Sequence, residues 1–535
     1  MNTTKIFKWN DAHFCSLSSQ TNVYGMSKIR TENNTNKLLV STIHRNFLSI
    51  EYQKTGDKLT PLTKDILFTY IPGDAEIVSM DAMTRLPPNR GLVVGITFIK
   101  PEDQENRPIS QMLIYSGAPL GEENVEESIA GESKLEVMTD GCQHIHLEFR
   151  PFLLTHTALK IQQNTEPEAV FLLSGSDCKV HMYQEIPAEH GFREEPCECY
   201  FPEFVNLNNS VLQLVIKTTD CSHRLTAIGL QDGEVRVTLV DTDKKEIIKV
   251  WTAEMDSPVT SLSFFSHLKC VPCPSFLEAF KISNSCQNSP AADSVESLEI
   301  NLLMSSALGQ AAVYRDVIGH GLSEVLWLPD SDRYDVALCS LAADIDFDGQ
   351  NEILIGTYGQ EVLVYKYFPT KEKSVPVESD EMSSWGVDVV ADLRNTRPYS
   401  MGDQADDSSK HRHKSDEGSA TEKTLPQRKV KSEEDLSLLN DFNIDLSKKA
   451  AVNTGHQMQV RTVQEPHYKL LWQRSFPCPV MKLDCADMMG DGLENLIVLT
   501  LHGVHIMQPD LNEVSALLSS RLQQLCLSKP EAAAV

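Results

Sequence analysis

The sequence predicts an all-β protein: a seven-bladed β-propeller of four-stranded antiparallel blades, with a long disordered insertion in the last blade and a short C-terminal helix. Three observations predict this fold. A hairpin pattern recurs seven times, a further apolar strand precedes most hairpins, and successive hairpins mostly begin roughly 50 to 80 residues apart. Radial repetition of such units leaves only short, protected sheet edges. The alternative for this pattern is a β-sandwich joined to a second β-domain.

Each hairpin contains an apolar run, a turn of small residues and a second run in which apolar residues alternate. β-Branched and aromatic residues, which suit a pleated and half-buried surface, recur in these runs. The turns carry Gly233, Gly309, Gly359 and Gly503, where we expect positive φ, because glycine has no Cβ to clash. The hairpins cover residues 38–53, 90–117, 170–184, 225–241, 300–316, 353–366 and 496–508, and the preceding strands cover 74–83, 210–218, 257–265, 335–343 and 479–486.

One segment interrupts the spacing of the hairpins. It is rich in Ser, Lys, Asp and Glu and has too little apolar surface to offset the entropy of ordering, so we expect it to be disordered. The sequence therefore predicts that the chain has four regions. They are the first part of the propeller (1–368), the disordered acidic and Ser-rich insertion (369–465), the completion of the propeller (466–508), and the C-terminal helix and tail (509–535).

Apolar residues recur with the spacing of an α-helix at two places outside the repeated hairpins. In the insertion, Ser432 with Asp435 resembles a capping box ahead of Leu436, Leu439, Phe442 and Leu446, which predicts either a partner-docking helix or a transient helix. Near the C-terminus, Val514, Leu518, Leu522 and Leu525 are expected to lie on one side of a short helix.

An acidic loop stands between a predicted strand and a predicted hairpin. Asp344, Asp346 and Asp348 alternate, Gly349 follows at a sharp turn, and Glu352 is the last carboxylate. An EF-hand does not fit, because its twelfth position would be Ile355, inside a strand pattern. The loop resembles the FG-GAP repeats of integrin α-subunit propellers and predicts a structural calcium site at Asp344, Asp346, Asp348 and Glu352. The alternative is a turn whose aspartates cap backbone N–H groups.

Two further patterns could hold a metal. A weaker copy of the acidic loop keeps Asp487, Asp491 and Gly492 but has Met489 and Asn495 at two ligand positions, which makes it a poor site for a hard cation. A short insertion at 267–287 holds His267, Cys270, Cys273 and Cys286, an incomplete match to zinc spacing.

Composition narrows the classes of function. The net charge of −27 disfavours nucleic acid and anionic lipid as direct partners. The N-terminus lacks the apolar stretch of a secretion signal, and no run is long enough to span a membrane. Thirteen cysteines without regular spacing are typical of reduced thiols, which predicts a soluble intracellular protein.

No motif for catalysis is present in the sequence. We find no P-loop, dinucleotide fingerprint, nucleophile elbow or zinc-protease motif. His144 and His146 alternate along one predicted strand, where they either ligate a metal or face solvent. We therefore expect no enzyme and no required cofactor, although polar residues that meet in a propeller funnel come from separate blades and escape such motifs.

Several segments together resemble the kaptin family: 18–25, 70–81, 90–100, 170–177, 339–367, 470–476 and 490–506. The resemblance leaves out the two insertions, and the longer one exceeds what we expect in that family. It implies a non-catalytic scaffold, a subunit of the KICSTOR complex, which brings the GATOR complex to lysosomes and restrains TOR complex 1 when amino acids or glucose are scarce. It also implies an alternative, an actin-filament-binding protein of lamellipodia and stereocilia.

The resemblance implies partners and a location as well. The partners are a large seizure-threshold scaffold protein, an integrin-α FG-GAP repeat protein, a smaller helical subunit and the GATOR complex. The protein is then cytoplasmic and peripheral at the lysosomal membrane. Actin is itself acidic, so a chain of charge −27 would have to bind it through a local patch against long-range repulsion. For this reason the KICSTOR role ranks above direct actin binding.

Overall fold

A computed structural model describes eleven stretches of the chain: residues 7–30, 36–55, 58–85, 91–101, 108–116, 142–159, 167–186, 191–219, 222–268, 298–369 and 466–527. These stretches contain 28 strands, which form seven four-stranded antiparallel sheets. The predicted seven-bladed propeller of four-stranded blades is confirmed.

The first three sheets follow chain order after the N-terminal strand, β1 (Trp9–Ser16). Their strands are β2 (Met26–Arg30), β3 (Asn36–Ser41), β4 (Phe47–Thr55) and β5 (Lys58–Ile66); then β6 (Glu76–Thr84), β7 (Leu92–Lys100), β8 (Ile109–Ser116) and β9 (Cys142–Leu147); then β10 (Pro151–Leu159), β11 (Glu168–Gly175), β12 (Val180–Ile186) and β13 (Gly191–Glu195).

The remaining four sheets continue in the same order. Their strands are β14 (Val211–Thr218), β15 (His223–Leu230), β16 (Glu234–Asp241) and β17 (Glu246–Glu254); then β18 (Val259–Leu268), β19 (Leu298–Ser306), β20 (Ala312–Tyr314) and β21 (Val325–Trp327); then β22 (Ala337–Ala343), β23 (Glu352–Thr357), β24 (Glu361–Phe368) and β25 (His467–Ser475); and last β26 (Val480–Ala486), β27 (Asn495–Thr500) and β28 (Gly503–Pro509) with β1.

The ring closes because the two ends of the fold share one sheet. The first strands of successive sheets contact one another in turn, from β2 through β6, β10, β14, β18 and β22 to β26. β1 pairs antiparallel with β28 and so becomes the outer strand of the seventh sheet. Lys482 Nζ donates a hydrogen bond of 2.8 Å to the Met26 carbonyl, which joins the seventh sheet to the first.

Along the chain, the long insertion falls between β24 and β25, the third and fourth strands of the sixth sheet. Its predicted place in the last blade is wrong, because the last blade takes its fourth strand from β1 and begins only at β26. The predicted disorder of the insertion and its helix at 432–446 lie outside the described residues. Cys270, Cys273 and Cys286 also lie outside them, so only His267 of the predicted zinc ligands has a described position.

The core lies between neighbouring sheets. Every residue of β23 and of β27 is buried, because both faces of these strands are covered by adjacent blades. One apolar cluster joins the sixth and seventh sheets and includes Leu354, Val364, Val480, Leu496 and Val498. Burial on both faces explains why these strands are nearly continuous apolar runs in the sequence.

The turn glycines have two different roles. Gly233 and Gly309 have φ of 100° and 96°, as predicted for glycine in a tight turn. Gly359 and Gly503 do not have positive φ, and in the Gly359 turn it is Gln360 that has φ of 70°. A Cβ at Gly503 would lie 2.3 Å from the Phe14 ring, so close packing, not φ, requires glycine there.

Helices are few in the described part of the chain. They are α1 (Val317–His320), α2 (Leu511–Leu527) and three 3-10 segments at Cys197–Cys199, Pro202–Phe204 and Ser331–Tyr334. None of these helices is long and apolar enough to cross a bilayer. α2 confirms the predicted C-terminal helix, but Val514 packs inward with Leu517, whereas Leu518 and Leu522 are exposed. The Leu525 side chain lies outside the described residues.

Candidate functional site: the acidic loop of the sixth sheet

The acidic loop joins β22 to β23, and the fold brings its aspartates together. Asp344, Asp346 and Asp348 each offer a carboxylate oxygen, and these oxygens lie within 4.8 Å of one another. Glu352, the first residue of β23, is fully buried. The structure therefore assembles the four carboxylates that the sequence predicted as one group.

Asp344 caps the turn. Its Oδ2 accepts a hydrogen bond of 2.8 Å from Gly349 N, and its Oδ1 accepts one of 3.1 Å from Asp348 N. Asp348 Oδ1 in turn accepts from Gln350 N at 2.9 Å, and Glu352 Oε2 accepts from Ile345 N at 3.1 Å. Backbone N–H groups thus hold the carboxylates in place, as in the capping alternative.

A lysine occupies the space between the other oxygens of these carboxylates. The ammonium group of Lys366, on β24, donates to Asp348 Oδ2 at 2.7 Å, to Glu352 Oε1 at 2.8 Å and to Asp346 Oδ2. The Lys366 side chain is only 11% exposed. The three N–H donors of the Lys366 ammonium are therefore each directed at a different carboxylate. Hydrogen bonds between an ammonium and a carboxylate are charge-assisted and are stronger than those between neutral groups.

The buried charges shift the pKa values of the cluster. Burial is the main reason that the pKa of Asp344 rises to about 6; the Gly349 N–H opposes the rise and the Asp348 charge adds to it. Burial also raises the pKa of Glu352 to about 8, against the hydrogen bond from Lys366. Burial alone would lower the pKa of Lys366, but its hydrogen bonds to Asp346, Asp348 and Glu352 raise that pKa above its ordinary range. Lys366 therefore stays charged.

The weaker copy of the loop has the same hydrogen bonds with fewer carboxylates. Gly492 N and Asp491 N donate to Asp487 at 2.9 and 3.2 Å, and Leu493 N donates to Asp491 Oδ1 at 3.0 Å. Asn495 Oδ1 accepts from Met488 N at 3.1 Å, in the place of Glu352 Oε2. This loop has Met489 at the position where the first loop has Asp346, and yet the two loops share the same backbone hydrogen bonds. Capping of backbone N–H groups is therefore enough to define the turn.

The donor set of the first loop is of the kind that calcium prefers, namely carboxylate oxygens. A calcium ion that used Asp346, Asp348 and Glu352 together would have to displace the Lys366 ammonium, since both cations need the same oxygens. Local sequence pattern could not indicate this competition, because Lys366 stands 14 residues beyond Glu352 in an ordinary strand pattern. Calcium at Asp344, Asp346, Asp348 and Glu352 stays a prediction.

The N-terminal segment and α2 cover one side of the loop. The rings of Phe7 and Phe347 meet edge to face at 5.5 Å. Trp9 Nε1 donates to the Ile345 carbonyl at 3.3 Å, and Arg521 of α2 donates to the Phe347 carbonyl. Three distant parts of the chain therefore share this loop, which gives it a structural role at the junction of the sixth and seventh sheets.

The predicted histidines contribute no ligand to the described cluster of Asp344, Asp346 and Asp348. His144 and His146 are exposed on the outer strand β9, which agrees with the solvent-facing alternative. His267 is 8% exposed between the rings of Phe265 and Tyr367. Burial, with a contribution from the Arg315 charge, lowers the pKa of His267 to about 4, so its imidazole is neutral at physiological pH.

Polar side chains on the inner strands connect neighbouring sheets, and the sequence did not reveal them. Asp81 on β6 accepts from Ser27 Oγ at 3.0 Å and pairs with His156 Nδ1 at 2.6 Å. Lys28 donates to Asp484 Oδ1 at 2.8 Å, 456 residues away. No local pattern could indicate these pairs, since each joins strands from different blades.

Comparison with known proteins identifies the family. The profile of the family described as "KICSTOR complex protein kaptin" matches residues 9–390 and 416–519. The mouse KICSTOR complex protein kaptin is 33% identical over 511 residues, which cover 95% of this chain and 90% of the mouse protein. The profile match includes the 267–287 insertion and much of the 369–465 segment, so the expectation that both insertions stand outside the resemblance is wrong.

Solved structures give distant matches. A crystal structure of BBS1N in complex with ARL6DN, soaked with mercury, covers 94% of this chain and 98% of that chain at a TM-score of 0.42 and 9% identity. A structure of Chaetomium thermophilum Sqt1 bound to the N-terminus of the ribosomal protein L10 covers 63% and 71% at a TM-score of 0.35 and 10% identity. The family assignment rests on the profile and on the mouse relative, and by both the chain belongs to the kaptin family.

Proposed function

We propose that this chain is a non-catalytic adaptor subunit of a KICSTOR complex that recruits the GATOR complex to lysosomes and restrains TOR complex 1 when amino acids or glucose are scarce. The observation that carries the proposal is the 33% identity with the mouse KICSTOR complex protein kaptin, which extends over 95% of this chain. A match of that extent spans all seven sheets of this chain and is not confined to a single module.

The geometry supports an adaptor. Hydrogen bonds between side chains on inner strands fix neighbouring sheets to one another, for example Ser340 Oγ to Ser261 Oγ at 2.8 Å and Lys217 Nζ to Ser266 Oγ at 2.9 Å. A ring of sheets held in this way presents two faces and a rim in fixed positions. Partners can then bind separate surfaces of the propeller without rearranging it.

The acidic loop supports a structural role over catalysis. A general acid or base needs a group that can reach a substrate and exchange a proton with it. Here Glu352 is fully buried, and Lys366 donates to three carboxylates at once. Both groups are committed to internal contacts.

The proposal is tested by affinity purification of the full chain from cells, with mass spectrometry of the bound proteins. We expect the large seizure-threshold scaffold protein, the integrin-α FG-GAP repeat protein and the smaller helical subunit to co-purify, together with GATOR. Deletion of the gene should abolish lysosomal recruitment of GATOR and leave TOR complex 1 active during amino-acid starvation. An unchanged starvation response in the deletion strain would reject the proposal.

Actin-filament binding is the alternative function. It is opposed by the net charge of −27, since actin is acidic and like charges repel at long range. Co-sedimentation of the purified full chain with actin filaments tests this alternative at low salt, where electrostatic binding is strongest. If the chain binds through a local basic patch, added salt should screen the charges and weaken the binding. Absence of pelleting at low salt would remove this alternative.

A further inference from the structure

The inner strands of the seven sheets surround the axial channel of the propeller. Five of them share a register shift of the same form near their start, as between Ile77 and Ser79 on β6. The residue four positions after the first residue of each shift therefore lies at one common level around the axis, which we call the channel level. These residues are Asp81, Val215, Ser263, Leu341 and Asp484.

Two pairs of acidic and basic side chains link neighbouring inner strands at the channel level. Lys28 Nζ on β2 lies 2.8 Å from Asp484 Oδ1 on β26. His156 Nδ1 on β10 lies 2.6 Å from Asp81 Oδ2 on β6, and Ser27 Oγ donates to Asp81 Oδ1 at 3.0 Å. The four strands belong to the seventh, first, second and third sheets, so the pairs form one arc in which acidic and basic groups alternate. We call Asp484, Lys28, Asp81 and His156 the charged arc.

The charged arc is exposed although it lies in the middle of inner strands. The exposed fractions of the side chains are 38% and 24% for Lys28 and Asp484, and 40% and 14% for His156 and Asp81. Neighbouring sheets cover both faces of an inner strand, so solvent reaches the middle of such a strand only from the channel. The charged arc therefore lines the channel.

The opposite side of the channel level has uncharged side chains in the part of the chain that the structure describes. It is formed by β14, β18 and β22 of the fourth, fifth and sixth sheets. Their partly exposed residues there are Val215, Ile216, Ser263, Phe264 and Leu341. Lys217, the next residue of β14, donates to Ser266 Oγ at 2.9 Å. The channel level thus combines a charged side with a mostly apolar side.

The channel is closed on one side of this level. The Tyr24 hydroxyl donates to the Leu212 carbonyl on the opposite side of the ring. Leu212 precedes Val215 by three residues on β14, so the closing bond lies about 10 Å from the channel level at roughly 3.3 Å per residue. A concave site that has apolar walls and a few convergent polar groups is the usual form of a small-molecule site.

We propose that the channel level binds a small zwitterion with an apolar side chain, an α-amino acid, whose ammonium and carboxylate groups contact the charged arc while its side chain lies toward Phe264 and Leu341. The charged arc offers acidic and basic groups in equal number, so a zwitterion matches both signs, whereas a ligand of one sign leaves half of the arc unmatched. An uncharged apolar ligand would bury the arc without hydrogen bonds, which is costly. A long peptide is a poorer occupant, because the channel is closed by Tyr24. The inference does not rest on the proposed adaptor function.

Equilibrium dialysis of the purified full chain against labelled L-leucine, with L-phenylalanine as a larger probe, tests this inference. Three competitors each lack one recognised group: leucinamide lacks the carboxylate, N-acetyl-leucine lacks the ammonium, and glycine lacks the apolar side chain. We expect at least one of the two amino acids to bind and each competitor to be weaker by about tenfold or more, since each leaves part of the site unmatched. Binding of neither amino acid at millimolar concentration would overturn the inference, and so would equal competition by leucinamide or N-acetyl-leucine.

Variants assign the binding to the channel. Lys28→Met removes one cation of the charged arc and should weaken binding about tenfold or more, whereas Lys28→Arg keeps the charge and should restore most of the affinity. Ser263→Trp leaves the charged arc intact but fills the channel level, and it should abolish binding. Lys244→Met is the matched control, since this lysine is 71% exposed and pairs with Asp241 at the outer end of β16. Melting temperatures check that each variant is folded, and unchanged binding in a folded Lys28→Met or Ser263→Trp protein would overturn the inference.

Discussion

The Tyr24 hydroxyl donates a hydrogen bond of 2.9 Å to the main-chain carbonyl of Leu212, 188 residues away. Tyr24 precedes β2 in the first sheet, and Leu212 lies on β14, the inner strand of the fourth sheet. In a ring of seven sheets these two lie on opposite sides, so the bond crosses the axis of the propeller. Burial raises the pKa of Tyr24 far above its ordinary value, so the hydroxyl remains a donor.

Tyr24→Phe should lower the free energy of unfolding by about 1 kcal/mol, because it removes one hydrogen bond and leaves the Leu212 carbonyl without this donor. Urea unfolding followed by tryptophan fluorescence measures the change. Tyr358→Phe is the matched control, since that side chain is 52% exposed. Equal stability of the two variants would mean that the cross-axis bond contributes nothing.

Lys366→Met should destabilise the protein by roughly 3–5 kcal/mol, because it removes the cation from Asp346 and Glu352, whose side chains are only 10% and 0% exposed. The control is Lys244→Met, which breaks an ion pair with Asp241 whose lysine side chain is 71% exposed and should have little effect. Thermal unfolding at neutral pH compares the two. A Lys366→Met protein as stable as the control variant would contradict the assigned role of the ammonium group.

Calcium binding at the acidic loop is tested by titrating the metal alone into the full chain in a calorimeter. If the prediction holds, Asp346→Asn with Asp348→Asn abolishes binding, whereas Asp487→Asn with Asp491→Asn in the weaker loop leaves it unchanged. Lys366→Met should bind calcium more tightly than the unaltered chain, because the competing ammonium is gone. Binding that survives the loss of Asp346 and Asp348 would place any calcium elsewhere.

Arg224→Met should also cost about 3–5 kcal/mol, because it strands a buried carboxylate. Arg224 contacts Glu203 through two hydrogen bonds of 3.0 and 3.1 Å, and their side chains are 7% and 0% exposed. Arg193→Met, at a pair with Glu195 whose arginine is 55% exposed, should cost no more than about 1 kcal/mol. The double variant Arg224→Met with Glu203→Met should regain part of the loss; if it unfolds as easily as Arg224→Met, the stranded charge is not the cause.

His267 should make the protein less stable in mild acid. Its folded pKa of about 4 lies below the ordinary 6.5, so the folded state binds fewer protons than the unfolded chain between these values. The stabilisation is complete above pH 6.5 and is lost as the pH falls toward 4. Melting temperatures between pH 7.5 and 4.5 should therefore fall less steeply for His267→Phe, which keeps an aromatic ring beside Phe265 and Tyr367. An unchanged slope in His267→Phe would reject the assignment.

Much of the fold could be predicted from local pattern. The seven predicted hairpins are the second and third strands of the seven sheets, and the five upstream strands, among them residues 335–343, are inner strands. Outer strands such as β13 (Gly191–Glu195) and β21 (Val325–Trp327) were not predicted, because they are short and partly exposed and so lack a strong apolar signal. Four carboxylates of the acidic loop were predicted, whereas the lysine that contacts three of them was not.

By itself, the sequence determined the repeated strand pattern, the sevenfold count, the acidic loop with its four carboxylates and the C-terminal helix, because each depends on periodicity or spacing within a few tens of residues. Tertiary structure alone decided that β1 completes the seventh sheet, that Lys366 lies among the carboxylates and that Tyr24 reaches Leu212. It also decided which side of α2 stays exposed. Closure of a ring sets these contacts: it brings together residues hundreds of positions apart, where no local spacing relates one partner to the other.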